Sequence, residues 1–222
     1  ICTRSCGFCG VKTGRPENVD WEEPEKVAQS IKIMKIKHAV LTSVDRDDLK
    51  DMGSIIWNET IKAVRRLNPH TTLETLIPDF QGNKTNIDRI IEAAPEVVSH
   101  NLETVRRLTR EVRVQAKYDQ SLEVLSYLKK NGVNRTKSGI MLGLGEKEEE
   151  VYETLHDLRS ADVEVVTIGQ YLQPTKKHLP VKSFITPDVF KKYEVVAKDL
   201  GFRHVESGPL VRSSYKAHKH VH

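Results

Sequence analysis

Past residue 9 the chain contains no cysteine, and the three it has, Cys2, Cys6 and Cys9, stand together in CTRSCGFC. Three thiols with no partner elsewhere exclude an intramolecular disulfide framework and point to a reducing, cytoplasmic compartment. No apolar run approaches the ~18–20 residues that a membrane span needs, so no membrane partner is expected. The sequence also lacks an internal repeat and a low-complexity linker. Neither a Ser–His–Asp arrangement nor a paired-carboxylate motif stands out, so acid–base or nucleophilic catalysis by side chains is not indicated.

What remains is the composition of a water-soluble globular protein: 38% hydrophobic and 30% charged residues, with a mean hydropathy of −0.47. A chain of 222 residues buries roughly 70–75% of its extended surface, enough for one sizeable core. One domain over residues 1–222 is therefore expected. The net charge is +4 and the isoelectric point about 8.9, but the basic residues are scattered among acidic neighbours. Pairs such as Arg65-Arg66, Arg106-Arg107 and Lys129-Lys130 fall on or beside predicted helices, where a solvated face explains them without nucleic acid.

Short β-branched or apolar runs alternate with longer amphipathic stretches, the pattern of repeated βα units around a parallel sheet. The predicted strands are His38–Thr42, Thr72–Ile77, Glu96–Ser99, Thr136–Leu142, Val165–Gln170 and Arg203–Ser207. The predicted helices are Pro24–Lys35, Ser54–Leu67, Asn86–Ala93, Asp119–Asn131, Glu148–Ala161 and Pro187–Leu200. Pro24 suits a first turn, and Gly132 and Gly201 suit helix stops. Polar clusters follow each early strand: Thr42-Ser43 with Asp45-Arg46, Pro78-Asp79 with Gln81, and His100-Asn101 with Glu103. All βα loops are polar, yet in a barrel these ends converge on the face where active sites are built.

Spacings of three and two residues let a short loop wrap three thiolates around one centre. Zinc prefers four closed ligands, and no HxxxH pair lies nearby to complete them. An iron–sulfur cluster takes thiolates as its main ligands, and three of them leave one iron open. A zinc-stabilised interaction module and a cluster with a reactive corner both remain open on spacing alone. Equally open is the Gly143-Leu144-Gly145-Glu146 turn, which follows a strand and is either a plain turn or a close backbone approach to a ligand.

CxxxCxxC with an aromatic before the last cysteine resembles the radical S-adenosylmethionine (SAM) superfamily. Within it the chain is similar to the lipoyl synthase family nearly end to end, through ICTRSCGFCGVKTGRP, LTSVDRDDLKDMGS, ETLIPDFQG, HNLETVRRL, the segment from Val112 to Leu125, TKSGIMLGLGE, IGQYLQPTKKHLPV and SGPLVRSSY. The resemblance implies an α/β fold, a partial (βα)6 TIM-type barrel whose first strand would precede the cysteine loop and is missing or truncated here. It implies Cys2, Cys6 and Cys9 as ligands of a 4Fe-4S cluster covered by Phe8. The fourth iron is chelated by SAM, and reductive cleavage of SAM gives a radical that abstracts hydrogen from an unactivated carbon. No catalytic side chain beyond the cofactors is then required.

The same resemblance implies that Asn101 and Glu103 face SAM, with Lys137 and Ser138 on the next strand, Gly143 and Gly145 in the following loop, and Arg113 paired to the SAM carboxylate. His100 is either a member of this group or a satisfied histidine ending a strand. The activity implied is insertion of two sulfurs at C6 and C8 of an octanoyl chain on a lipoyl carrier domain. A one-electron reductant such as flavodoxin or ferredoxin would serve it, and a monomer is expected. Another radical SAM sulfur insertion or hydrogen abstraction is the alternative. In the family a second, auxiliary 4Fe-4S cluster is held by three upstream cysteines and by a serine in an RSSY motif. Arg212-Ser213-Ser214-Tyr215 matches that motif, with Ser214 aligned as the ligand, although a solvent-facing tail is the plainer reading. The upstream cysteines are absent, so the chain is expected to have lost its beginning, and Met52 stands where many members carry glycine. His218, His220 and His222 alternate either as chelators or as a disordered tail.

Overall fold

A computed structural model describes residues 1–221. Six parallel strands form one sheet in chain order: β1 (His38–Thr42), β2 (Thr72–Leu76), β3 (Val97–Ser99), β4 (Arg135–Leu142), β5 (Val165–Gln170) and β6 (His204–Gly208). Parallel neighbours require crossovers, and helices supply them: α1 (Glu23–Ile33) precedes β1, α2 (Ser54–Leu67) leads to β2, and α3 (Lys84–Ala93) leads to β3. The short α4 (Thr109–Val112) and α5 (Tyr118–Lys130) lead to β4, α6 (Glu148–Ser160) to β5, and α7 (Pro187–Asp199) to β6. β1 and β6 are the two edges, so the barrel is partial and open between them. None of the six strands precedes the cysteine loop.

The helices form where the periodicity places them because one face of each is apolar. On α2 the buried Trp57, Ile61 and Val64 recur at helical spacing, and on α6 Val151, Leu155 and Leu158 do the same. α1 opens with Pro24 in its first turn and acidic residues that complement the helix dipole. Two apolar groups result. One packs α1, α2 and α3 on the β1 to β3 half of the sheet, the other packs α6 and α7 on the β4 to β6 half, and α5 contributes to both. β5 is buried along its whole length, as a central strand covered on both faces must be.

After β6 the chain turns back into the barrel. Val211 N donates to Gly208 O at 3.1 Å, and the single turn Ala217–Lys219 comes to rest beside β1. The ring of His220 lies 5.6 Å from that of His204, the first residue of β6. This carboxyl-terminal strap crosses the open side between the two sheet edges. Of the alternating histidines, His222 lies outside the described residues.

Candidate functional site

The cysteine loop lies across the carboxyl ends of the strands and is held from three sides. Cys2 N donates to Lys12 O at 2.9 Å and Gly14 N to Cys2 O at 3.0 Å, which close the loop on itself. Thr3 N reaches Asp45 O after β1, Gly7 N reaches Val112 O at the end of α4, and Gly7 O accepts from Leu179 N after β5. The strongest tie is Arg4, 5% exposed. Its guanidinium bonds Asp79 after β2 at 2.6 and 2.9 Å and Asp47 after β1 at 2.7 and 2.8 Å, with Asp45 at 3.2 Å. Such bidentate pairing of guanidinium with carboxylate fixes orientation as well as distance. Burial would raise the Asp79 carboxyl, but the Arg4 bonds and nearby positive charge hold it down to about 2.

All three cysteines are half-buried. Cys2 Sγ accepts from the backbone N–H groups of Arg4 and Asp45, each at 3.4 Å. Burial pushes the Cys6 thiol up to about 12. The Arg113 charge opposes this, and Asp45, Cys9 and Cys2 add to it. Cys6 thus senses the other two sulfurs, and among the described residues no three Cys, His, Asp or Glu side chains close on a single ion. An all-thiol donor set is the one iron–sulfur clusters take, and a metal supplies the charge that deprotonates a thiol outright.

Arg113, whose charge acts on Cys6, also acts on Glu103, the partner of Asn101. Past the end of β3 the chain makes one more bridge to β4: Glu103 N donates to Gly139 O at 2.9 Å, and Met141 N to Glu103 O at 2.8 Å. Glu103 holds this register at φ +66°, a conformation that costs a non-glycine residue energy and gathers at functional sites. Its carboxylate accepts from Asn101 Nδ2 at 3.1 Å, while Asn101 Oδ1 is buried without a partner. Burial raises the Glu103 carboxyl, and Arg113 and Asn101 draw it back. Arg113, 7% exposed, donates through Nη1 to Leu102 O and to Ser121 Oγ, both at 3.2 Å. An orphaned acceptor, a carboxylate and a buried cation form the complement of an amino-acid zwitterion, so these residues fit the amino and carboxylate ends of SAM.

The other residues singled out in the sequence are committed to partners within the fold. Lys137 is fully buried and commits its ammonium to Glu74 Oε1 and Oε2 at 2.7 and 3.0 Å, to Ser213 O and to His220 Nδ1 at 3.3 Å. Ser138 Oγ accepts from Leu102 N at 3.3 Å and ties β4 to the segment after β3. Gly143, at φ +99°, has the space of a side chain filled by Gln170 Nε2 and Ser183 O, 2.3 and 2.4 Å from an added Cβ. Gly145 O accepts from Arg107 Nη2 at 2.9 Å. Both ring nitrogens of His100 are bonded, Nδ1 to Ile77 O and Nε2 to Ser121 Oγ, each at 2.9 Å. It is the satisfied histidine of the two readings. Phe8 packs against the larger apolar group. Ser214 is exposed, next to the anchored Ser213.

Two features escape the sequence reading. The Arg4 clamp joins residues 75 apart, although a cation between two cysteines and the three carboxylates of DRDD were visible. Gly139 lies mid-strand, where a glycine signals a close approach. A Cβ there would stand 2.6 Å from Thr167 Oγ1 and 3.1 Å from Asn101 Oδ1.

The sequence profile described as the Radical SAM superfamily matches residues 1–158. A protein of Nematostella vectensis named lipoyl synthase, mitochondrial, is 79% identical over 222 residues, which is all of this chain and 76% of that protein. A protein of Flavobacterium johnsoniae named lipoyl synthase is 80% identical over 221 residues, all of this chain and 77% of that protein. Among solved structures, HydG, a maturase of the FeFe-hydrogenase, shares the fold with a TM-score of 0.70 at 13% identity, over 99% of this chain and 60% of that one. The cysteine loop over a partial barrel, the superfamily match and relatives at this identity place the chain in the lipoyl synthase family of radical SAM enzymes.

Proposed function

We propose that Cys2, Cys6 and Cys9 hold the 4Fe-4S cluster of this family, and that Asn101, Glu103 and Arg113 hold SAM beside it. The enzyme inserts two sulfur atoms into a protein-bound octanoyl chain, at C6 and C8, to form the lipoyl group. When bound, the reduced cluster and SAM supply hydrogen abstraction from unactivated carbon. The rest is the work of the chain. Asn101 Oδ1 and Glu103 receive ammonium N–H groups, and Arg113 receives the carboxylate. Arg4 fixes the thiol loop to the barrel, so that the reacting groups are held in place. Gly139 keeps open the space beside Asn101. The observation that carries this reading is the buried, unpartnered Asn101 Oδ1 of an amide that donates to Glu103, with the Arg113 charge acting on both Glu103 and Cys6.

Ser214 would supply an oxygen ligand to the family's auxiliary 4Fe-4S cluster, which would be the source of sulfur. One serine does not retain a cluster alone, and the relatives are longer than this chain. Residues 1–222 act as one domain and as a monomer in a reducing cytoplasmic compartment. The octanoylated lipoyl carrier domain presents the substrate, and a flavodoxin or ferredoxin supplies the electron. Among the described residues no helix is long and apolar enough to cross a membrane.

After anaerobic reconstitution the chain should carry iron and acid-labile sulfide and cleave SAM when reduced. Substituting Cys2, Cys6 or Cys9 by alanine is expected to abolish that cleavage. Octanoyl peptide deuterated at C6 should pass deuterium into 5′-deoxyadenosine. Cleavage that survives the loss of a thiol, or one zinc without sulfide, would overturn the reading.

A further inference from the structure

Glu74 and Lys137 lie inside the barrel with no solvent exposure. Ser99 Oγ also donates to Glu74 Oε1, at 2.8 Å. A buried ion pair is a poor source of stability, because desolvation offsets most of the attraction, and here burial lowers the lysine while Glu74 draws it back up. The pair nevertheless does something that an apolar pair could not. The ammonium reaches past the sheet to the strap, giving one N–H to Ser213 O and one to His220 Nδ1. These acceptors are seven residues apart, so one side chain closes the strap from 213 to 220 into a staple. Within it Ser214, Tyr215, Lys216, His218 and Lys219 are exposed, and only Ala217 and His220 are buried. Ala217 N donates to Ser214 O at 3.2 Å and His220 N to Ala217 O at 2.9 Å, turns too short to persist unaided.

We propose that Lys137 is a positioning residue that, charged and oriented by Glu74, clamps Ser213 and His220 and so fixes where the strap presents the Ser214 hydroxyl. The clamp gives physical content to the proposed role of Ser214 and rests on that reading for its purpose, but its geometry stands without it. Further ties are the buried Val211, Arg212 Nη1 on Gln170 O at 3.4 Å and the exposed Lys216–Glu206 pair. They hold the strap's entrance and outer side and leave the Ser213 carbonyl to Lys137.

The test uses the cluster-free full chain, uniformly labelled with 15N and 13C. A scalar coupling across the hydrogen bond from Lys137 Nζ to the Ser213 carbonyl carbon is expected, a signature that a merely space-filling lysine does not give. In E74M/K137M, which exchanges the ion pair for an apolar pair that barrels tolerate, amide exchange at Ala217 and His220 should rise at least about tenfold, or ~1.4 kcal/mol of lost protection. Amides of β2 and β4 should stay within about twofold. If the double variant does not fold, H220F leaves Glu74–Lys137 intact and should loosen the same amides. No coupling in the parent chain, unchanged strap exchange, or equal acceleration of strap and sheet would each overturn the clamp. Because no cluster is present, failure of the clamp leaves the ligand assignment of Ser214 untouched, and the converse holds.

Discussion

Replacing Arg4 by methionine removes the one cation that three carboxylates share. Asp79 is 1% exposed and cannot rehydrate, and with Arg4 in place its carboxyl sits at about 2 against an ordinary 3.8. That difference alone is worth roughly 2 kcal/mol at 1.36 kcal/mol per unit. Removing a partner also leaves desolvation unopposed, so about 3–5 kcal/mol is expected, or roughly 6–20 °C in Tm for a chain of this size. The sign with pH is diagnostic. In the parent, the Asp79 contribution is fully present above about pH 4 and is lost as pH falls toward 2. In R4M the Asp79 carboxyl rises above its unfolded value, so its protonation relieves the variant, and the gap between parent and variant should narrow from pH 7 to pH 4. Urea melts at several pH values measure both quantities. A loss under about 1 kcal/mol, or a gap that does not change with pH, would refute the clamp as the main anchor of the cysteine loop.

His100 sits at about 4 because burial, then Arg113, disfavours its charge. Its stabilisation is therefore present above about pH 6.5 and is lost as pH falls toward 4, by about 3 kcal/mol, and H100Q should flatten that part of a stability–pH curve. Gly139→Ala places a methyl against Thr167 Oγ1 and Asn101 Oδ1. It should cost ~1–3 kcal/mol in a denaturant melt and weaken SAM binding at least about tenfold by calorimetry on the reconstituted protein. Gly143→Ala combines φ +99° with overlap on Gln170 and Ser183 and should cost more than about 2 kcal/mol in a thermal melt.

The elements were legible because both periodicities are strong. β1, β5 and α2 have the bounds expected, and the remaining strands and main helices shift by one or two residues at most ends. Gly132 and Gly201 do stand just past their helices at positive φ. α4 was missed, as a four-residue helix carries too little pattern to read. Asn83 N-caps α3 through its side chain and starts it earlier than the apolar spacing suggested. The thiol loop was legible because its members are adjacent in sequence. Lys137 and Ser138 are adjacent too, but their side chains take different partners. Neighbours on a strand face opposite ways, so Lys137 points to Glu74 while Ser138 turns to the backbone of Leu102. The residue that shares the inward face with Lys137 is Gly139.

Two inward glycines show how one barrel accommodates both the thiol end and the returning strap. On β4, Gly139 clears side-chain atoms, those of Thr167 and Asn101, and so leaves space at the thiol end. On β5, a Cβ on Gly169 would meet backbone, Val211 O at 2.3 Å, so this glycine lets the returning strap lie against the sheet. Gly139 pairs with Thr167 and Met141 with Gly169, which puts the two clearings one strand apart and two residues out of step, or about 7 Å along the sheet. Lys137, two residues before Gly139 on the same face, holds the strap from below. The space beside Asn101 and the path of the strap are therefore parts of one interior. A chain that must activate a carbon and deliver sulfur to it needs that arrangement, because two separate pockets would let the activated carbon meet water first.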